Sequence, residues 1–124
     1  MTDGKRFVCY CDLQEEAPVF YRMMDEFVNK FDGTNTELLL YINPKQCDVE
    51  RTLAVLSDYF SKYEDKTCYI NIYTEILEDE TDLLIDADYY ISNRQLENVH
   101  RMCMARFYGV ECLSGVDAPI FYNM

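Results

Sequence analysis

The chain has 124 residues, of which 49% are apolar and 15% aromatic, so we expect one domain of ordinary size over residues 1–124. Its 23 Asp and Glu against 11 Lys and Arg give a net charge of −12, which repels phosphate backbones and argues against a nucleic-acid partner. Without an apolar run of roughly 18 residues or a signal-peptide pattern, the chain is expected to be cytoplasmic and to lack a membrane span.

Strand-like segments come at regular intervals along the chain. Each is apolar at successive positions, which is typical of strands buried on both faces of a parallel sheet. The predicted strands cover residues 6–11, 37–43, 67–73, 88–92 and 110–114.

Helical segments separate the strands, because apolar residues recur there at three- and four-residue steps. The predicted helices cover residues 17–31, 47–63 and 95–109. Gly33 is expected to end the first helix, Asp48 to cap the second, and Gly109 to end the third. The fourth connection, residues 74–87, is acidic and has room for one or two helical turns.

The third helix has two features that place it in the fold. Its apolar residues Leu96, Val99, Cys103 and Phe107 form a stripe that is expected to pack on the sheet. Ser92 and Gln95 have the spacing of a capping box at its start.

Alternating strands and helices predict a single Rossmann-like, doubly wound α/β domain of about five parallel strands in the order 3-2-1-4-5, with helices on both faces. That order puts the topological switch point between the first and fourth strands, where such sheets bind ligands. The loops 12–17 and 92–95 would face this crevice.

The six cysteines are expected to be reduced, because the signs of secretion are missing. Cys9 and Cys11 lack a second Cys/His pair at zinc-site spacing, so no metal site is expected. His100 is the only histidine, and a structural role suits it better than a catalytic one.

The segment "LIDADYYISNRQLENVHRMCMARFYGVECLSGVDAPIF" (84–121) resembles the C-terminal, nucleotide-sugar-binding half of GT-B-type glycosyltransferases. Ala87-Asp88, the strand 89–92, Ala105 and Gly109-Val110 fall in places that match the family. Residues 7–42 resemble the first strand, long helix and second strand of that half, so the likeness covers most of the chain.

The resemblance implies a nucleotide sugar in the crevice. Arg94 and the free N–H groups of the helix start would bind its phosphates, and Asn93 and Gln95 would contact the base or sugar. Glu97 stands near the family's first donor-site glutamate, and Asp12 lies in the first loop. No cofactor is implied. Glycosyl transfer would need a partner protein to supply the acceptor half.

The alternative is an inert protein-interaction or regulatory subunit of the same lineage. Where the family has glycine and basic residues, the first loop has Asp12, Glu15 and Glu16, and the family's second glutamate aligns with Met104 or Ala105. The residues after Ser92 would then be an ordinary helix start. Self-association through surplus tyrosines is open in either case; the candidates are Tyr21, Tyr59, Tyr108 and Tyr122.

Overall fold

A five-stranded parallel sheet organises the computed structural model, which describes residues 4–11, 19–116 and 120–121. Its strand order is β3-β2-β1-β4-β5, and each neighbouring pair is parallel. The Rossmann-like α/β arrangement predicted from the sequence is therefore confirmed. The strands are β1 (Arg6–Tyr10), β2 (Glu37–Tyr41), β3 (Tyr69–Tyr73), β4 (Tyr89–Ile91) and β5 (Glu111–Leu113).

The central strand β1 pairs with β2 on one side and with β4 on the other, which places Cys9 between Leu40 and Ile91. Phe7 and Val8 are fully buried although their side chains point to opposite faces. The run of successive apolar residues thus belongs to a strand that is covered by protein on both faces.

Two long helices, α1 (Val19–Phe31) and α2 (Val49–Phe60), cover one face of the sheet. The predicted helical spacing of α1 is confirmed, because its apolar residues pack into one core. The buried members are Phe20, Met23, Met24, Phe27, Val28 and Phe31. The predicted N-cap of α2 is also confirmed, since the Asp48 carboxylate accepts the N–H of Arg51 at 3.2 Å.

The second face carries a thinner layer. It consists of the acidic connection, in which residues Glu80–Leu84 form a 3-10 helix, and of the short helix α3 (Asn98–Phe107). The predicted helical turn in this connection is confirmed. Gly109 adopts φ 76°, which lets the chain leave α3 where the sequence predicted its end.

The prediction of a capping box at Ser92 and Gln95 was wrong. The Ser92 hydroxyl accepts the N–H of Gly115 at 3.2 Å, and α3 begins only at Asn98. The side chain of Asn93 instead accepts the N–H of Gln95 at 2.9 Å. This local turn competes with helix formation, so α3 starts at Asn98 and not at residue 95 as predicted.

The predicted orientation of α3 was also wrong. Leu96, Val99 and Phe107 are 92%, 71% and 78% exposed, and Cys103 is exposed as well. The residues that pack inward are Arg101 and Ala105. Apolar spacing shows which residues share a helix face, but here the face that meets the sheet is the one with Arg101 and Ala105.

All six cysteines lie in the described part of the chain, and none forms a disulfide. Only Cys9 is fully in the core, whereas Cys103 is exposed. Of the surplus tyrosines, Tyr21 packs against Tyr59 with ring centroids 4.9 Å apart, while Tyr122 lies outside the described residues. None of the described helices has the length and apolar character needed to cross a membrane.

Candidate functional site

The switch point lies where β1 and β4 run side by side and end at the same edge of the sheet. This confirms the geometry on which the predicted crevice depended. Asp12, which the sequence placed at this mouth, lies outside the described residues. The other predicted site residues, Asn93, Arg94, Gln95 and Glu97, follow β4 within the described part.

Asn93 is buried and connects the two strand ends. Its side-chain amide donates to the backbone carbonyl of Tyr10 at 2.9 Å and to the Gln95 amide oxygen at 3.0 Å. Its own amide oxygen accepts the N–H of Gln95. The side chain predicted to contact a base or sugar therefore holds the loop after β4 against the end of β1.

Gln95 takes part in a second internal contact. Its amide oxygen accepts a hydrogen bond from the Arg101 guanidinium at 2.6 Å. Arg101, one turn into α3, is only 1% exposed. Two of its nitrogens, Nε and Nη2, each lie 2.8 Å from the same oxygen, Oε1, of Glu80 in the acidic connection.

Arg101 also stacks on an aromatic ring, with its guanidinium carbon 4.1 Å from the centre of the Tyr10 ring. Burial disfavours its charge, but the hydrogen bond and charge of Glu80 leave the Arg101 pKa above its ordinary value. The other carboxylate oxygen of Glu80, Oε2, is buried without a partner among the described residues. This cation thus fills the space over the ends of β1 and β4.

Four tyrosines line the same face near the strand ends. Neighbouring rings contact edge-on or tilted, with centroids 5.8 to 5.9 Å apart. The four are Tyr10, Tyr41, Tyr73 and Tyr90. Burial raises the pKa of Tyr10, Tyr41 and Tyr90, so all three stay protonated at neutral pH.

The tyrosine hydroxyls attach the second layer to the sheet. Tyr10 and Tyr41 donate to the backbone carbonyls of Glu80 and Glu75 at 2.6 and 2.9 Å. Tyr90 donates to the side-chain oxygen of Asn98 at 2.5 Å. The acidic connection and the start of α3 are therefore held over the sheet by oriented polar contacts.

The predicted anion site at the helix start is largely closed by the chain itself. The N–H groups of Asn98 and Val99 donate to the carbonyls of Gln95 and Leu96. Glu97 is the N-cap residue, and its exposed side chain makes no capping hydrogen bond. Arg94 is exposed in the turn before the helix and lies outside α3.

The network residues that matter most here, Arg101, Glu80 and Asn98, were missed by the sequence reasoning. Arg101 and Glu80 are 21 positions apart and belong to different elements, so no local pattern signals their pairing. A weak signal existed in α3 itself, where an arginine and an asparagine share a face with Ala105. The signal is weak because a face with such polar residues is usually the solvent-exposed side of a helix.

Among the described residues, no cluster of His, Cys, Asp and Glu has the arrangement of a metal site. Comparison of the chain with protein-family models, with curated proteins and with solved structures found no match.

Proposed function

We propose that this domain is a protein-interaction module that binds its partner through the apolar face of α3. This surface, the α3 patch, consists of Val99, Cys103 and Phe107 on α3 and of Leu96 in the turn before it. The observation that carries the proposal is the exposure of three large side chains, between 71% and 92%, on α3 and in the turn before it. Contiguous exposed apolar surface is typical of binding sites, and a helix face of this spacing suits an apolar groove.

The charge around the α3 patch defines the chemistry of the partner. Residues 94–107 contain three of the chain's 11 Lys and Arg but one of its 23 Asp and Glu, and of the three only Arg101 is buried and paired with Glu80. Arg94 and Arg106 are exposed, so this is a locally basic region on a molecule of net charge −12. The patch therefore suits a protein surface that is apolar in its centre and acidic at its rim.

The state of the switch point supports the same proposal. Catalytic groups need to reach a substrate, whereas Asn93, Gln95 and Arg101 bond to one another and to the ends of the sheet. Their hydrogen bonds fix the position of α3 on the sheet. This polar network supports the helix whose outer face carries the apolar patch.

A photo-crosslinking amino acid placed at position 107 tests binding through the α3 patch. The matched control carries the same amino acid at position 85, because Ile85 is also exposed but lies on the acidic connection. We expect a protein from the source organism's cell extract to crosslink at position 107 only. The captured surface should be apolar with Asp and Glu around it. Capture should fall at least about tenfold, or about 1.4 kcal/mol, in a Leu96→Ser/Phe107→Ser variant and in Arg106→Glu.

Both variants change exposed side chains, so their free energies of unfolding should stay within about 0.5 kcal/mol of the parent chain. Equal capture by the parent and by the Leu96→Ser/Phe107→Ser variant would show that the α3 patch is not the binding surface. Crosslinking that is equal at positions 85 and 107 would show the same.

Nucleotide-sugar binding at the switch point is a second proposal, favoured by the strand order and by the resemblance of residues 84–121 to the GT-B donor-binding half. Arg94 is exposed beside the mouth and would contact the phosphates, with Glu97 on the sugar. Asn93 and Gln95 would have to exchange their internal hydrogen bonds for ligand contacts. Transfer would still need an acceptor-binding partner.

Thermal-shift titration with UDP-, GDP- and CDP-linked sugars tests this second proposal. A ligand at 100 times its Kd adds about 2.7 kcal/mol to the free energy of unfolding, and Arg94→Ala should remove that gain. The Leu96→Ser/Phe107→Ser variant should respond like the parent chain. The absence of a shift with all three sugars would eliminate nucleotide-sugar binding and leave the α3 patch untouched.

A further inference from the structure

Strand β3 forms one edge of the sheet, and among the described residues it pairs with β2 alone. The Tyr73 carbonyl accepts the N–H of Ile42, so the backbone of Tyr73 faces the sheet interior. Backbone direction alternates along a strand. The N–H and C=O groups of Ile70 and Ile72 therefore point outward, away from β2.

This edge lacks the usual protection against pairing. Natural edge strands are shortened or carry charges, prolines or bulges, but Tyr69–Tyr73 reads YINIY and contains no charge, proline or glycine. The opposite edge, β5, is only three residues long and begins with Glu111. In a chain with 27% charged residues, an uncharged five-residue edge strand is able to pair with a strand of another chain.

The sequence of β3 is the same in both directions, with Asn71 at its centre. A two-fold axis joins a surface to an identical surface, so it requires self-complementary residues. We propose that two copies of this chain associate by pairing their β3 strands antiparallel around an axis between the two Asn71 residues. The two five-stranded sheets then become one continuous sheet.

The outward backbone groups fit this register. Ile70 stands opposite Ile72 of the second copy, and the two residues exchange both of their backbone hydrogen bonds. Tyr69 stands opposite Tyr73 of the second copy on the other face. Aliphatic and aromatic cross-strand pairs of this kind stabilise antiparallel sheets.

The side chains around the edge have surface left to bury. Tyr69 is 55% exposed, and a cavity of about 160 Å³ opens beside Ile70 between β3 and the helical layer. Ile72 of the second copy would pack next to Ile70 at this cavity. Its lining residues are Val28, Phe60, Tyr63, Lys66, Cys68 and Ile70.

Asn71 provides a polar contact on the axis. One N–H of its amide donates to Glu37 at 2.6 Å. Within the described part of the chain, the Asn71 side chain makes no further hydrogen bond that the pairing would have to break. The two Asn71 side chains would be neighbours at a non-hydrogen-bonded position, where Cα atoms are about 4.5 Å apart.

Sedimentation velocity over a concentration series, compared between the parent chain and Asn71→Lys, is the first test. Asn71 is exposed, so the lysine is tolerated by the fold, which circular dichroism verifies. It puts two like charges face to face only in the dimer. We expect a dimer for the parent chain and an increase in its dissociation constant of at least about tenfold for Asn71→Lys.

Mild oxidation of Asn71→Cys is the second test, with Tyr69→Cys as the matched control on the same strand and face. The spacing at position 71 matches a disulfide, whereas two residues 69 lie about 13 Å apart in the proposed register. Both variants carry Cys103→Ser to remove the exposed native thiol. We expect a 71–71 linkage that forms at least about tenfold faster than a 69–69 linkage.

Three results would overturn the β3 dimer. The parent chain could remain monomeric at all concentrations, or Asn71→Lys could dimerise as tightly as the parent. Alternatively, Tyr69→Cys could crosslink as fast as Asn71→Cys. A dimer that survives Asn71→Lys but is lost in the Leu96→Ser/Phe107→Ser variant would assign self-association to the α3 patch.

Discussion

Replacing Arg101 by Met tests the claim that an ion pair, and not an apolar stripe, determines how α3 packs. Met preserves most of the length of the side chain but removes the charge. Both partners are well buried, since the side chain of Arg101 is 1% exposed and that of Glu80 is 19% exposed. Removing one member of a buried pair leaves an uncompensated charge and costs about 3–5 kcal/mol.

The assay is urea unfolding followed by circular dichroism, which gives the free energy of unfolding from the midpoint and slope. Small domains have about 5–15 kcal/mol of stability in total, so the expected loss is a large share of it. A matched control is Lys62→Met, which removes an ion pair with Asp25 of similar length, 3.1 Å, on the surface. That variant should lose much less stability, because exposed pairs contribute little.

A double-mutant cycle then separates the pair from the packing. Replacing Arg101 by Met and Glu80 by Leu together removes both charges, so the double variant should lose less than the sum of the two single losses. The difference should be about 0.5–3 kcal/mol, the range for residues in direct contact. An Arg101→Met loss below about 1 kcal/mol, or strictly additive losses, would refute the reasoning.

Three further predictions follow from local contacts. Burial raises the pKa of Tyr10 and Tyr90 above 10.0, so the unfolded state releases their protons first and the free energy of unfolding falls as the pH rises above about 10. Tyr90→Phe should reduce this fall in a pH titration followed by circular dichroism. An equal pH dependence of stability in the parent chain and the variant would contradict the prediction. Asp48→Ala should lower the free energy of unfolding by about 1 kcal/mol. An unchanged urea midpoint would show that the Asp48 cap does not stabilise the domain. Gly109→Ala should lower the free energy of unfolding by about 1–2 kcal/mol, because Gly109 adopts a φ of 76° that alanine rarely takes. Gly109→Asn should lower it less, since asparagine tolerates this conformation better. Equal losses for the two variants would indicate a cause other than backbone conformation.

The fold could be predicted because its signals are local and mutually consistent. Successive apolar residues such as Phe7 and Val8 mark a strand buried on both faces, and the spacing from Phe20 to Phe31 marks a helix with one apolar side. Glycines and the Asp48 cap set the breaks between elements. Short connections and right-handed crossovers then reduce the possible strand orders to a few, of which 3-2-1-4-5 is one.

The candidate site could be predicted only in part. The crevice between β1 and β4 follows from topology, and residues 93–97 do lie there. Their roles could not be predicted, because they depend on partners far along the chain. Asn93 bonds to Tyr10, 83 positions away, and Arg101 bonds to Glu80, which belongs to a different element.

The orientation of α3 shows the limit of pattern reasoning. An apolar stripe usually marks the core side of a helix. Here the smaller Ala105 and the paired Arg101 occupy that side, and Leu96 and Phe107 are exposed instead. Sequence alone does not distinguish a stripe that faces the core from a stripe that faces a partner.

The two faces of the sheet are covered unequally, and this has a thermodynamic consequence. One layer is two long helices on a phenylalanine- and methionine-rich core, and the other is a 3-10 turn and a ten-residue helix. Cooperative units with little apolar packing open at lower free energy than the rest of a domain. Because the α3 patch belongs to the thinner layer, a partner that bound there would also stabilise the tyrosine-tethered half of the molecule, and binding would be linked to the local stability of that half.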